Sequence, residues 1–201
     1  MGHLTSGKAD FQHLIPLIDR LNQYPVGLVD SPKLREILSL LFSEEEADLA
    51  AHFPLHEATI GELEERTGLP RDRLRTLLES MADKGLVMDL PFRGETYYLL
   101  MPGVIGFFEF TFMKNRTDLP LDRVARLMSE YFRERPQEGQ AREFFGTRTQ
   151  MTRALVYDDA IPVSTRVVSY HNAREIIEAA GGGAASMCYC RHQREHEGKS
   201  C

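Results

Sequence analysis

No cysteine occurs in the first 187 residues, no apolar run approaches the length of a membrane span, and positive charge is not in excess. Each absence excludes something. Three cysteines in 201 residues do not make the disulfide framework of a small secreted domain, and three thiols cannot all pair within one chain. The longest apolar stretch, residues 104–113, is interrupted by Gly106 and Glu109 and falls short of the roughly 20 residues that cross a bilayer, so no membrane segment is expected. A net charge of −6 is the wrong sign for a chain devoted to nucleic acid, whose affinity comes mostly from neutralising phosphates. No Gly-x-Ser-x-Gly elbow, P-loop, His-Glu-x-x-His or dinucleotide fingerprint occurs, and the triglycine at 181–183 fits none of the phosphate-binding patterns. The first ten residues lack the apolar segment of a signal peptide, which leads to the expectation of a cytoplasmic protein with reduced thiols.

What is present is an ordinary globular composition, 42% hydrophobic and 27% charged, in a chain long enough for one large or two small domains. Distinctive chemistry is confined to the last fourteen residues, which hold Cys188, Cys190 and Cys201 together with His192 and His196. Five soft or borderline donors on one short segment are what a zinc or iron–sulfur site requires. Zinc would take the three cysteines and one of the two histidines as a Cys3His tetrahedron, although Cys-x-Cys is tighter than the usual ligand gap. A 4Fe–4S cluster takes four thiolates, so its fourth ligand would come from a histidine, a partner subunit or residues beyond Cys201. Arg191, Arg194 and Lys199 would offset the negative charge of thiolates or of a cluster. Inert thiols or a disulfide are the bland reading of the same residues. A thiol nucleophile based by His192 or His196 lacks an identifiable third group to orient it, and no catalytic residue is assigned.

The chain before this tail reads as scaffold. Leu14, Ile15, Leu17, Ile18 and Leu21 share one helical face, and Ser31-Pro32 opens a second helix whose stripe is Leu34, Ile37, Leu38, Leu41 and Phe42. Ser43 and Glu46 have the spacing of a capping box. Thr59 caps a helix that Gly68 ends, Pro70 opens another that Gly85 ends, and two strands follow at 86–90 and 95–100 around a turn at 91–94. Two helices joined by a short Gly-containing turn and followed by a hairpin predict a winged helix-turn-helix over about 55–101. Arg71, Arg73 and Arg75 begin its would-be recognition helix, and Arg93 sits at the wing tip, the positions from which such a module reads DNA. Against that use, residues 55–101 carry six Lys or Arg (Arg66, Arg71, Arg73, Arg75, Lys84, Arg93) and nine acids (Glu57, Glu62, Glu64, Glu65, Asp72, Glu79, Asp83, Asp89, Glu95), a balance of −3. A docking or dimerisation module is therefore favoured over DNA binding.

Residues 102–113 are apolar on nearly every side, with Pro102 favouring a helix that packs against the winged helix or across a homodimer interface. A helix striped by Val124, Leu127, Met128, Tyr131 and Phe132 comes next, then a short one at 141–145. Extended segments are expected at 161–163 and 166–170, with 152–157 open between strand and helix. A helix over 173–180 capped by His171 or Asn172 follows, and a strand at 184–189 delivers the cysteines.

The tail Met187-Cys188-Tyr189-Cys190-Arg191-His192, with His196-Glu197-Gly198 and Cys201, resembles a family of bacterial, largely anaerobe-associated 4Fe–4S ferredoxin-type proteins with an N-terminal winged-helix-like region. The resemblance extends upstream through 20–27, 34–42, Gly94-Glu95-Thr96-Tyr97-Tyr98 and Gly106-Phe107-Phe108-Glu109-Phe110, and so covers nearly the whole chain. It implies iron–sulfur chemistry and electron transfer to a redox partner protein. In such proteins a ferredoxin module with further cysteines follows this region, so the chain matches the part before that module. The expected architecture is α+β and mainly α. N-terminal helices and the winged helix would occupy 1–101, with a helical and then small α/β region carrying the Cys-rich loop at 102–201. The expected function is 4Fe–4S electron transfer by Cys188, Cys190 and Cys201. The alternatives are a redox- or metal-responsive DNA-binding regulator using Arg71, Arg73, Arg75 and Arg93, and a structural zinc protein.

Overall fold

Ser31 accepts a hydrogen bond from the Leu34 amide at 3.2 Å, and Pro32 occupies the first position of α2 (Pro32–Leu41), where a missing amide hydrogen costs nothing. The computed structural model describes residues 11–146 and 167–200. A 3-10 turn at Gln12–Leu14 leads into α1 (Ile15–Leu21), and α3 (Glu44–Ala51) starts at a complete capping box. There the Ser43 amide donates to Glu46 at 2.8 Å and the Glu46 amide donates to the Ser43 hydroxyl at 3.2 Å.

Strand β1 (Ala58–Thr59) runs into α4 (Ile60–Thr67), whose own capping box pairs Thr59 with Glu62. Gly68, at φ 70°, ends α4 in the left-handed conformation, and α5 (Arg71–Lys84) follows after Pro70. Gly85, at φ 77°, ends α5 and turns the chain into the hairpin of β2 (Val87–Phe92) and β3 (Glu95–Leu100). A Cβ on Gly85 would come within 2.8 Å of the Phe110 Cβ, so the turn and the close approach both require glycine. The hairpin closes through Arg93 and Gly94, both at positive φ, as a two-residue turn matched to strand twist demands. The sheet is antiparallel in the order β1-β3-β2, with Ala58 opposite Tyr98 and Val87 opposite Leu100. The described chain is thus mainly helical with one small antiparallel sheet, and none of its helices is long and apolar enough to cross a membrane.

Between the hairpin and α7 (Leu121–Arg133) the structure departs from the continuous helix expected over 102–113. A wide helical turn at Gly103–Phe107 is broken by an extended Val104 and a left-handed Ile105 (φ 55°), and only Phe108–Phe110 (α6) is α-helical. Glu109 accepts from the Gly106 amide at 2.8 Å and so supplies a partner that a regular helix would have provided. The kink turns Val104, Phe107, Phe108 and Phe112 into this chain's own core and leaves Ile105 exposed. Left-handed backbone at an exposed β-branched residue is a strained arrangement.

One apolar cluster runs from Leu14 through the α2 stripe, α5 and the 103–112 segment to Tyr131. Three buried polar groups lock it together. Arg20 donates to the Phe53 carbonyl at 2.6 Å and to the Pro54 carbonyl, and its guanidinium lies over Tyr24. Glu46 accepts from Ser80 at 2.8 Å and pairs with Lys84, tying α3 to α5. Gln140, at the start of α8 (Gln140–Phe145), donates to the Gly27 carbonyl and accepts from the Val29 amide, both at 2.9 Å. The Tyr131 hydroxyl, 2.6 Å from the same Gln140 side chain, has its phenol pushed well up by burial.

The C-terminal region differs from the α/β arrangement expected. Among the described residues no strand follows Leu100. Ser169, rather than His171 or Asn172, caps α9 (Tyr170–Ala179), none of whose residues is buried. The expected strand over 184–189 is irregular chain up to Met187, with the Met187 amide bonded to the Met113 carbonyl at 2.9 Å. The cysteines then open a helix, α10 (Tyr189–His196). The segments at 152–157 and 161–163, and Arg166, lie outside the described residues.

Candidate functional site

α10 is an eight-residue helix with a defined end. Gly198 sits at φ 72°, its amide bonds the Glu195 carbonyl at 2.8 Å, and the Lys199 amide bonds the Arg194 carbonyl at 2.9 Å, the paired bonds of a Schellman turn. At its start Cys188 is the N-cap residue, its carbonyl receiving the His192 amide at 3.0 Å while its side chain makes no cap bond. Cys190 lies in the first turn. Both thiols are free and exposed, and Cys201 lies outside the described residues.

Three contacts seat the helix. His192 is buried, with Nδ1 2.8 Å from the Phe112 carbonyl oxygen. His196, one turn later, has Nδ1 2.6 Å from Asp122 Oδ1 on α7. Glu197 carries a side chain only 3% exposed, beside Lys199 at 2.6 Å. Burial works to raise its pKa, but hydrogen bonds with Lys199 and Ser129 outweigh that and hold the carboxyl below its ordinary value. The two imidazoles also meet, Nε2 to Nε2, at 3.2 Å. Phe112 stands against both rings, with centroids 6.3 Å and 6.1 Å away.

The motif therefore divides. The thiols face solvent at the amino end of α10, whereas the histidines face inward toward α6 and α7. Among the described residues no three His, Cys, Asp or Glu side chains converge on one point. Tyr189, between the cysteines, hydrogen-bonds with Cys190. That bond, then partial burial and nearby negative charge including Glu109, pushes the phenol up to about 12.

The arginines singled out near the start of α5 are each beside an acid. Arg71 bonds Glu64 at 2.9 Å, Arg73 pairs with Glu45, and Arg75 lies 3.9 Å from Asp72. Arg93 at the hairpin tip stacks over Phe92, its guanidinium carbon 5.0 Å from the ring centroid.

The sequence alone assigns no role to Asp122, Tyr189, Glu197 or the Phe112 carbonyl. Only a local signal was available there: His192 and His196 are four residues apart, ahead of a glycine that ends a helix, which is the pattern of two side chains on one helical face. Comparison with protein-family models, with curated proteins and with solved structures returns no match.

Proposed function

We propose that this chain is an iron–sulfur electron-transfer protein, or the N-terminal portion of one. Cys188, Cys190 and Cys201 hold a 4Fe–4S cluster whose fourth ligand comes from outside the sequence. The observation that carries this reading is the pair of free, exposed thiols at the start of α10. Unbonded amides at a helix start favour negative charge, and Arg191, Arg194 and Lys199 follow closely. The cluster would pass one electron at a time to a partner oxidoreductase. Residues 55–101 read as a winged helix, β1-α4-α5 and the hairpin, used for docking that partner or for pairing with a second copy. A homodimer through 102–113 would rest on Ile105, the exposed large apolar side chain of that segment.

The test is electron paramagnetic resonance of protein prepared without oxygen and reduced with dithionite. A cluster signal in the natural protein that is missing from the Cys188→Ala, Cys190→Ala variant supports the reading. A silent spectrum in both, with no iron present, removes it.

A DNA-binding regulator is the second reading, favoured by one observation. Arg93 at the hairpin tip has no acid partner among the described residues, and the α5 arginines are exposed despite their pairing. A structural zinc site would use the same cysteines with one histidine and would contain one zinc and no chromophore.

A further inference from the structure

We propose that His192 and His196 together form a binding site for a divalent transition metal with the chemistry of zinc, separate from the cysteines. A carbonyl oxygen can only accept, so the Nδ1 of His192, 2.8 Å from the Phe112 carbonyl, carries a hydrogen. The Nδ1 of His196, 2.6 Å from the Asp122 carboxylate, carries one for the same reason. In neutral imidazoles both hydrogens are then committed, and each Nε2 presents a lone pair. Those two nitrogens face one another at 3.2 Å, an arrangement that repels unless a cation lies between them.

A metal fits the spacing. Two nitrogens at ordinary zinc–nitrogen distance and a tetrahedral angle stand about 3.3 Å apart. The supports behind the rings are also those of a metal site: a backbone carbonyl on one ligand and a carboxylate on the other, fixing tautomer and orientation. The one-turn separation on a helix is the spacing at which paired histidines bind zinc. His192 is buried, whereas the His196 side chain is 24% exposed. It borders an open cleft of about 330 Å³ with Arg123 and Arg126. Water or a small anion entering from that side completes the coordination. A proton held between the two Nε2 atoms is the competing occupant.

The site is separated from the cysteines by a full-length variant in which Cys188, Cys190 and Cys201 are all serine. We expect it to bind one equivalent of zinc in competition with a chromophoric chelator, and one cobalt(II) with visible bands of nitrogen and oxygen ligation. His196→Ala in that background abolishes binding with an unchanged circular dichroism spectrum. Asp122→Asn, on an exposed carboxylate, weakens it about 10- to 100-fold and keeps the test open if His196→Ala unfolds. The proposal is overturned if the serine variant binds neither metal, and a proton found between the Nε2 atoms by nitrogen NMR would then identify the occupant. It is overturned equally if binding is undiminished in His196→Ala or, should that variant unfold, in Asp122→Asn.

Discussion

His196 and Asp122, 74 residues apart, meet with Nδ1 2.6 Å from Oδ1 and join the helix that starts with the cysteines to the first turn of α7. The contact lies near the surface, so its worth is set by a charge-assisted bond partly screened by water, about 1 kcal/mol. Asp122→Ala is expected to speed amide hydrogen exchange across Tyr189–His196 roughly five-fold while leaving α2 and α5 unchanged. Equal acceleration throughout the chain would mean that α10 is not separately seated.

The pair of buried Glu46 and partly buried Lys84 predicts a pH dependence. Burial tends to raise the Glu46 carboxyl, but hydrogen bonds from Lys84, the Ser43 amide and Ser80 hold it below its ordinary 4.5. A carboxyl depressed in the folded state stabilises above its unfolded value, and that stabilisation is lost as pH falls through the folded value. Melting temperature should therefore drop below about pH 4.5, and Glu46→Gln should flatten that limb. Lys84→Met alone, which strands the buried carboxylate, should cost about 3 kcal/mol in urea unfolding. Pairing it with Glu46→Gln should recover most of that loss.

Gln140 gives a third test. Its amide satisfies the Gly27 carbonyl and the Val29 amide, and it meets the Tyr131 hydroxyl within the core. Gln140→Ala leaves those groups unpaired and should cost about 2–3 kcal/mol. Tyr131→Phe keeps the packing and should cost about 1 kcal/mol. Equal losses in chemical denaturation would contradict this division.

How much of this was legible in the sequence depends on how local each cause is. Ser43 with Glu46, Thr59 with Glu62, and the left-handed Gly68 and Gly85 act within one turn, and each ended or began the helix expected. The break at Gly103–Phe107 was not legible, because a short segment apolar on all sides has no period to follow and its shape is imposed by the surrounding core. A strand is expected at 184–189 to deliver the cysteines, whereas the helix that they open rests on contacts to Phe112 and Asp122 far away in sequence. The distant partners of Arg20, Glu46 and Gln140 were invisible for the same reason. They are identified only once the fold has brought the elements together.

The α5 arginines are already paired with acids, and their neighbourhood is net acidic. The electron-transfer account therefore predicts no saturable binding of duplex DNA at about 0.15 M salt by fluorescence anisotropy. Saturable binding that is lost on replacing Arg71, Arg73 and Arg75 by glutamate would transfer the assignment to the regulator.

The most direct measurement is iron and acid-labile sulfide per chain in protein purified without oxygen, alongside the Cys188→Ala, Cys190→Ala variant. The account predicts iron and sulfide in equal amounts in the natural protein and neither in the variant. Zinc in place of iron, or iron retained when both cysteines are gone, would contradict it.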